Sequence, residues 1–314
     1  SMSTNLTAPL VGIGVLAGKT FMDFEQSMLK VKAISGATGE QFKMLQSDAK
    51  RLGSTTMFTA SQVASLQLEL SKLGLTPEEI NKSTQSVLDL AQATDSDLAQ
   101  AAAVSAKIMQ AFGLEASDMT RITDVMADSF SSSALDMNKF ETAMSSVAPV
   151  ANMAGASLEE TTAILGVLVN NGVEAATAGT ALRNIFLDLA KEGITMGEAM
   201  DKVKNSTNPL ADAMEMFGKR GANVATILAN NGDAIKDLTK DFEDSAGEAS
   251  AMARIMDSGL GGSLRKLMSQ VEGLAITLGE MLVSIFTKIM EAVSFVVNGF
   301  MNLDTGTKGL IVTM

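Results

Sequence analysis

The chain has 314 residues, is 46% hydrophobic and carries a formal charge of −12 at pH 7, which fits a folded protein with a sizeable core and opposes a phosphate-gripping surface. It contains no Cys, His, Trp or Tyr, so thiol nucleophiles, disulfides, zinc–thiolate or iron–sulfur sites and imidazole chemistry are excluded. With 22 Met and only 4 Pro, the core must be built from Ala, Leu, Ile, Val and Met, most of which suit close helix packing. The expectation is an all-α protein without catalytic, cofactor-binding or metal-binding residues.

Ser1-Met2 is not how translation begins, so it reads as a cloning scar or an excision boundary, and the chain as cut from something longer. Residues 6–34 form one apolar, weakly amphipathic helix, with Leu10, Val11, Ile13, Phe21, Phe24, Met28 and Val31 along it. Gly12, Gly14 and Ala17 mimic a dinucleotide-binding fingerprint, but no strand precedes them, and chance is the better account. Ser35-Gly36-Ala37-Thr38-Gly39 ends this helix, and a short one runs from Glu40 to about Leu52.

From Thr59 onward the pattern is a series of capped helices. Thr59 with Gln62, Thr76 with Glu79, Ser157 with Glu160, Thr195 with Glu198 and Ser245 with Glu248 all have capping-box spacing. Gly74, Gly113, Gly155, Gly172 and Gly193 mark helix ends. No stretch alternates with period two, so no sheet is expected. The turn Gly74 to Glu79 resembles Gly155 to Glu160, which reads either as a duplicated three-helix unit or as two similar helix starts. Paired carboxylates at Glu78-Glu79 and Glu159-Glu160 point about a hundred degrees apart on a helix, so helix-start electrostatics explains them without catalysis.

Polar breaks multiply after Gly193, and then Gly259, Gly261 and Gly262 form a hinge before the longest helical pattern, about Ser263 to Leu303. Along it Leu264, Leu267, Val271, Leu274, Leu278, Met281 and Ile285 recur three and four apart, a heptad seam. The seam predicts self-association; the alternative is packing on the chain's own preceding helices. Residues 274–301 are strongly apolar, yet Glu280, Lys288 and Glu291 interrupt them, which describes an amphipathic segment better than a spanning one. Another apolar run starts at Gly309 and continues to Met314. The expected organisation is an N-terminal apolar helix at 1–34, a helical core with two similar three-helix units at 35–193, a short-helix region at 194–258, and a Gly hinge with a long heptad-patterned helix at 259–314. Together these predict a multi-helix globular bundle with a long C-terminal helix and no sheet.

Several phrases, taken in order, resemble the core region of bacteriophage tail tape measure proteins. They are SGATGEQF, RLGSTTMFTASQVA, LGLTPEEI with VLDLAQAT, SVAPVANMAGASLEETTAILGVL with NNGV, and AGTALRNIFLDLA at Ala178 to Ala190. The similarity spans roughly residues 10–303 and is weakest between 195 and 253. The resemblance implies a structural tail component that sets tail length and is released during DNA ejection. It further implies a homo-oligomer in the virion tail, assembled in the host cytoplasm. The partners implied are tail tube and baseplate proteins and tail assembly chaperones, with host membrane contact during ejection and no specific nucleic-acid binding. A membrane-active, pore-forming helical protein is the alternative.

Overall fold

Aliphatic residues at helical spacing, cut by glycine and capped by hydroxyl or carboxylate side chains, leave the backbone one regular option. The computed structural model describes residues 3–301, and every regular element among them is a helix. A long first helix, α1 (Ser3–Ser35), leads into four helix pairs. These are α2 (Gly39–Thr55) with α3 (Ala60–Lys72), α4 (Pro77–Ala93) with α5 (Leu98–Ala111), α6 (Met119–Ser132) with α7 (Met137–Met153), and α8 (Leu158–Asn170) with α9 (Ala175–Glu192). The short α10 (Met196–Lys204) and α11 (Pro209–Asn230) turn the chain round, the latter broken at Gly218, where φ is 65°. It then returns through α12 (Gly232–Glu243), α13 (Glu248–Asp257) and α14 (Leu260–Met301).

The pairs stack as a solenoid. In one layer α1, α3, α5, α7 and α9 each touch the next; in the other α2, α4, α6 and α8 do the same. Neighbouring units contact each other in sequence order, as expected when no single helix pair can bury its apolar face alone. A continuous core fills the space between layers, anchored by fully buried Phe24, Phe140, Leu45, Leu66, Leu88 and Met119. The return arm runs back along the outside: α12 lies on α8 and α6, α13 on α6 and α4, and α14 on α2 and α1.

The turn that Gly74 and Gly155 share recurs after every first-layer helix. Gly36, Gly74, Gly113, Gly155 and Gly193 all have φ between 64° and 90°, a conformation that closes a helix cheaply only for glycine. They return roughly every 40 residues, the period of stacked helix-pair repeats. Two residues beyond each comes the next cap: Thr38, Thr76, Glu115, Ser157 and Thr195. Reciprocal capping boxes form at Thr38, Thr59, Thr76 and Thr195, and Ser157 accepts from the Glu160 amide at 3.0 Å.

One expected cap fails. Ser245 does not start α13; its N-cap is Gly247, at φ 87°. The first amides of α13 are instead satisfied from across the fold, where Asp124 of α6 accepts from Gly247 N at 2.8 Å and Ala249 N at 3.0 Å. A long-range carboxylate has displaced the local hydroxyl.

Polar side chains tie each repeat to the next. Gln41 donates to Glu78, Ser86 meets Thr120, and Arg121 grips Glu159 along the second layer; Gln100 donates to Asn138 and Lys107 to Glu141 along the first. These partners lie 34 to 38 residues apart in sequence, about one repeat.

Candidate interaction surface

Helix α14 runs for 42 residues, roughly 63 Å at 1.5 Å per residue. Its expected end at Leu303 and the apolar run from Gly309 fall outside the described residues. Among the described side chains, the face it turns to its own chain is small and polar: Gly262, Ser269, Ile276 and Gly279 are the buried positions, and Ile276 is the one large aliphatic among them. Ser269 donates to the Phe58 carbonyl at 2.7 Å, with the Gly53 carbonyl also within reach. Glu272 accepts from Ser61 N at 3.0 Å. α14 thereby satisfies a carbonyl at the end of α2 and an amide at the start of α3, groups that a helix cannot pair internally. Further along, Lys50 pairs with Glu280 while lying 5.7 Å over the Phe24 ring.

Gly279 is explained by the approach of α1. A Cβ there would meet the Ala17 carbonyl at 2.7 Å and clash with Phe21, so no larger residue fits without moving α1. Gly259, Gly261 and Gly262 lie at the break between α13 and α14, where a Cβ on Gly262 would come within 2.6 Å of Asp257 Cα.

The opposite face is the heptad seam. Leu264, Leu267, Val271, Leu274, Leu278, Met281 and Ile285 are all exposed, from 37% at Leu278 to 64% at Met281. Met268 and Leu260 extend the apolar surface. The amphipathicity is thus reversed relative to an ordinary surface helix, which buries its aliphatic stripe against its own core. An apolar stripe this long, left in water, is a candidate interaction surface. Sequence reasoning found this stripe. It missed the inward face, because Gly, Ser and Glu give no hydrophobic signal of docking.

The paired carboxylates serve the scaffold. Glu78 accepts from Gln41, and Glu79 caps Thr76 N at 2.7 Å, a bond that lowers its pKa. Buried Glu159 is held by Arg121, whose own pKa this bond raises. Burial raises Glu160 above the usual carboxylate range. Glu160 is also the only ionisable side chain lining a cleft of about 480 Å³ beside Gly155, Phe186, Ile194 and Met196. The Thr195 hydroxyl lines it too, but it donates to the Glu198 carboxylate and accepts from Glu198 N, so it is committed to the cap of α10. In the AGTALRN stretch, Gly179 is the key residue. A Cβ there would lie 2.8 Å from Ala143 Cα, so α9 meets α7 backbone to backbone.

The sequence pattern of the phage-related minor tail protein family matches residues 46–286, most of the solenoid and the docked half of α14. The chain belongs to that family. This tail protein is 28% identical to the tape measure protein of Pneumococcus phage Dp-1, over 96% of the chain and 29% of that protein. It is 26% identical to the probable tape measure protein of Escherichia phage P2, over 86% of the chain and 38% of that protein. The resemblance read in the sequence therefore holds across most of its length. The chain spans well under half the length of either relative. No solved structure matches it.

Proposed function

We propose that this segment is a folded, non-enzymatic section of a tape measure protein, that several copies act together in the tail, and that α14 is where copies meet. The observation that carries the reading is the reversed helix. An aliphatic seam with heptad spacing is solvated while a Gly/Ser/Glu face docks on the chain itself. The occupant of such a seam needs the same period to place its side chains into the holes between heptad residues, and a second α14 has it. In this reading the full protein spans the tail, fixes its length through the constant rise of helices, and leaves with the DNA. Tail tube and baseplate proteins and assembly chaperones are its further partners, and the host membrane is met during ejection. The charge of −12 would keep the genome from adhering to it. Among the described residues no helix is long and apolar enough to cross a membrane, which favours this reading over pore formation.

Light scattering on the purified chain beside the Val271→Lys/Leu278→Lys double variant tests the seam. The expected result is a wild-type oligomer and a monomeric variant of equal helicity. Two monomers would refute the seam, and two identical oligomers would move the contact elsewhere. Leakage from liposomes caused by the wild type alone would favour the membrane-active alternative.

A further inference from the structure

We infer that α12–α14 form a releasable arm, which undocks from an intact α1–α9 solenoid because charge of one sign faces itself across the joint. The inference stands independently of the tail role proposed above. Three observations carry it.

Among its described side chains the arm buries little apolar surface: Phe242, Ala249, Ala253 and Ile276 are the buried hydrophobic ones, with Ile235, Leu238, Met252 and Leu282 half-covered. Ile255, Met256 and Leu260 face outward. Its attachment relies instead on a few polar bonds. Asp124 caps α13, Gln92 Nε2 donates to the Ala253 carbonyl at 2.6 Å, and Ser269, Glu272 and Glu280 hold α14. Such a segment belongs to the part of a protein that opens locally, well below the cost of global unfolding.

The joint is also acidic on both sides. Asp89 of α4 faces Asp124 of α6 and Asp257 of α13, with Arg254 as the neighbouring cation. Asp128 of α6 faces Glu248 of α13 and Asp241 of α12. Arg121 of α6, already committed to Glu159, also attracts Glu243 of α12. At the α8 end, Glu160, Asp201, Asp233, Lys204 and Lys236 line one cleft. One oxygen of Asp257 is buried with no hydrogen-bond partner. Asp89 and Asp128 are both raised above the ordinary aspartate range, chiefly by burial and then, against the Gln85 hydrogen bond and the pull of Arg254 at Asp89, by these like charges. The docked arm therefore holds protons more tightly than the free one. The contribution of these two groups to docking is complete below the ordinary aspartate pKa and is lost as pH rises through the raised values.

Hydrogen exchange of the full chain at constant neutral pH tests this, read directly from the α13 amide rates, with the α5 amide rates beside them as the measure of global unfolding. In the wild type, α12 and α13 should exchange while α4, α6 and α8 stay protected. Asp128→Asn should slow α13 exchange severalfold by relieving the repulsion from Glu248 and Asp241, and added salt should act in the same direction. Arg254→Gln, which removes a cation, should speed it. Exchange of α13 in step with α4 and α6, or no response to Asp128→Asn and Arg254→Gln in opposite directions, would overturn the inference.

Discussion

Arg121 holds Glu159 through two parallel bonds, Nε to Oε1 at 2.6 Å and Nη2 to Oε2 at 2.8 Å, joining α6 to α8 across a repeat boundary. The Glu159 side chain is only 3% exposed, whereas Arg121 is open to solvent on one side. Removing the cation strands a buried carboxylate. Arg121→Ala should cost about 2–4 kcal/mol in urea denaturation, while Arg121→Met with Glu159→Met should recover most of that loss. An Arg121→Ala midpoint equal to wild type would show that the tie between repeats is idle.

Gly179 and Gly74 separate two reasons for glycine. Gly179 is crowded by the Ala143 backbone, whereas Gly74 has open space but φ 90°. Gly74→Ala should cost about 1 kcal/mol from backbone strain alone. Gly179→Val should cost more, about 3 kcal/mol or beyond, because α7 and α9 must separate. Thermal melting of the two variants ranks the effects, and the reverse order would contradict the packing described.

Asp48 provides a pH-dependent case. Arg51 donates to one of its oxygens at 2.6 Å, while the other is buried without a partner, as is Gln67 Oε1. Burial raises the Asp48 pKa. The folded state then binds the proton more tightly than the unfolded chain. The stability this group contributes is complete below the ordinary aspartate pKa and disappears as pH rises through the raised value. Asp48→Asn supplies a donor in place of the bare oxygen and should stabilise the protein by about 1 kcal/mol at pH 7. Its advantage should shrink towards acidic pH, where the wild type carries its own proton. A constant difference in urea midpoint across that range would argue against the assignment.

Ile276 and Leu274 lie two residues apart on opposite faces of α14. Ile276→Lys places a charge under α1 and α2, so about 2–5 kcal/mol of stability in the α14 contact should be lost. Leu274→Lys sits in solvent and should change stability by no more than about 0.5 kcal/mol, yet it should weaken association. Sedimentation together with denaturation resolves the two effects, and equal behaviour of the variants would mean that α14 has no division of faces.

Much of this architecture was legible along the chain, because helix ends are local chemistry. The left-handed glycines, the Thr59, Thr76 and Thr195 boxes and the seam of α14 each depend on residues within one or two turns. The cap at Ser245 failed for the opposite reason, since its rival, Asp124, lies more than a hundred residues away in sequence. The similarity of Gly74–Glu79 to Gly155–Glu160 was visible, but that the helix end at Gly113 is a further copy of the same turn was not, because Glu115 and Asp118 stand there in place of the hydroxyl and glutamate.

The amino-acid order by itself therefore determined that the chain is helical, where most helices stop, and that one of them carries an aliphatic stripe at heptad spacing. Only the tertiary structure decided that the helices pair into a stacked solenoid, that the last three run back along it, and that α14 presents its stripe to water. Periodicity defines a helix's apolar face. Which face meets the core depends on groups brought together from distant turns: the carbonyls of Gly53 and Phe58, the amide of Ser61 and the close backbone at Ala17.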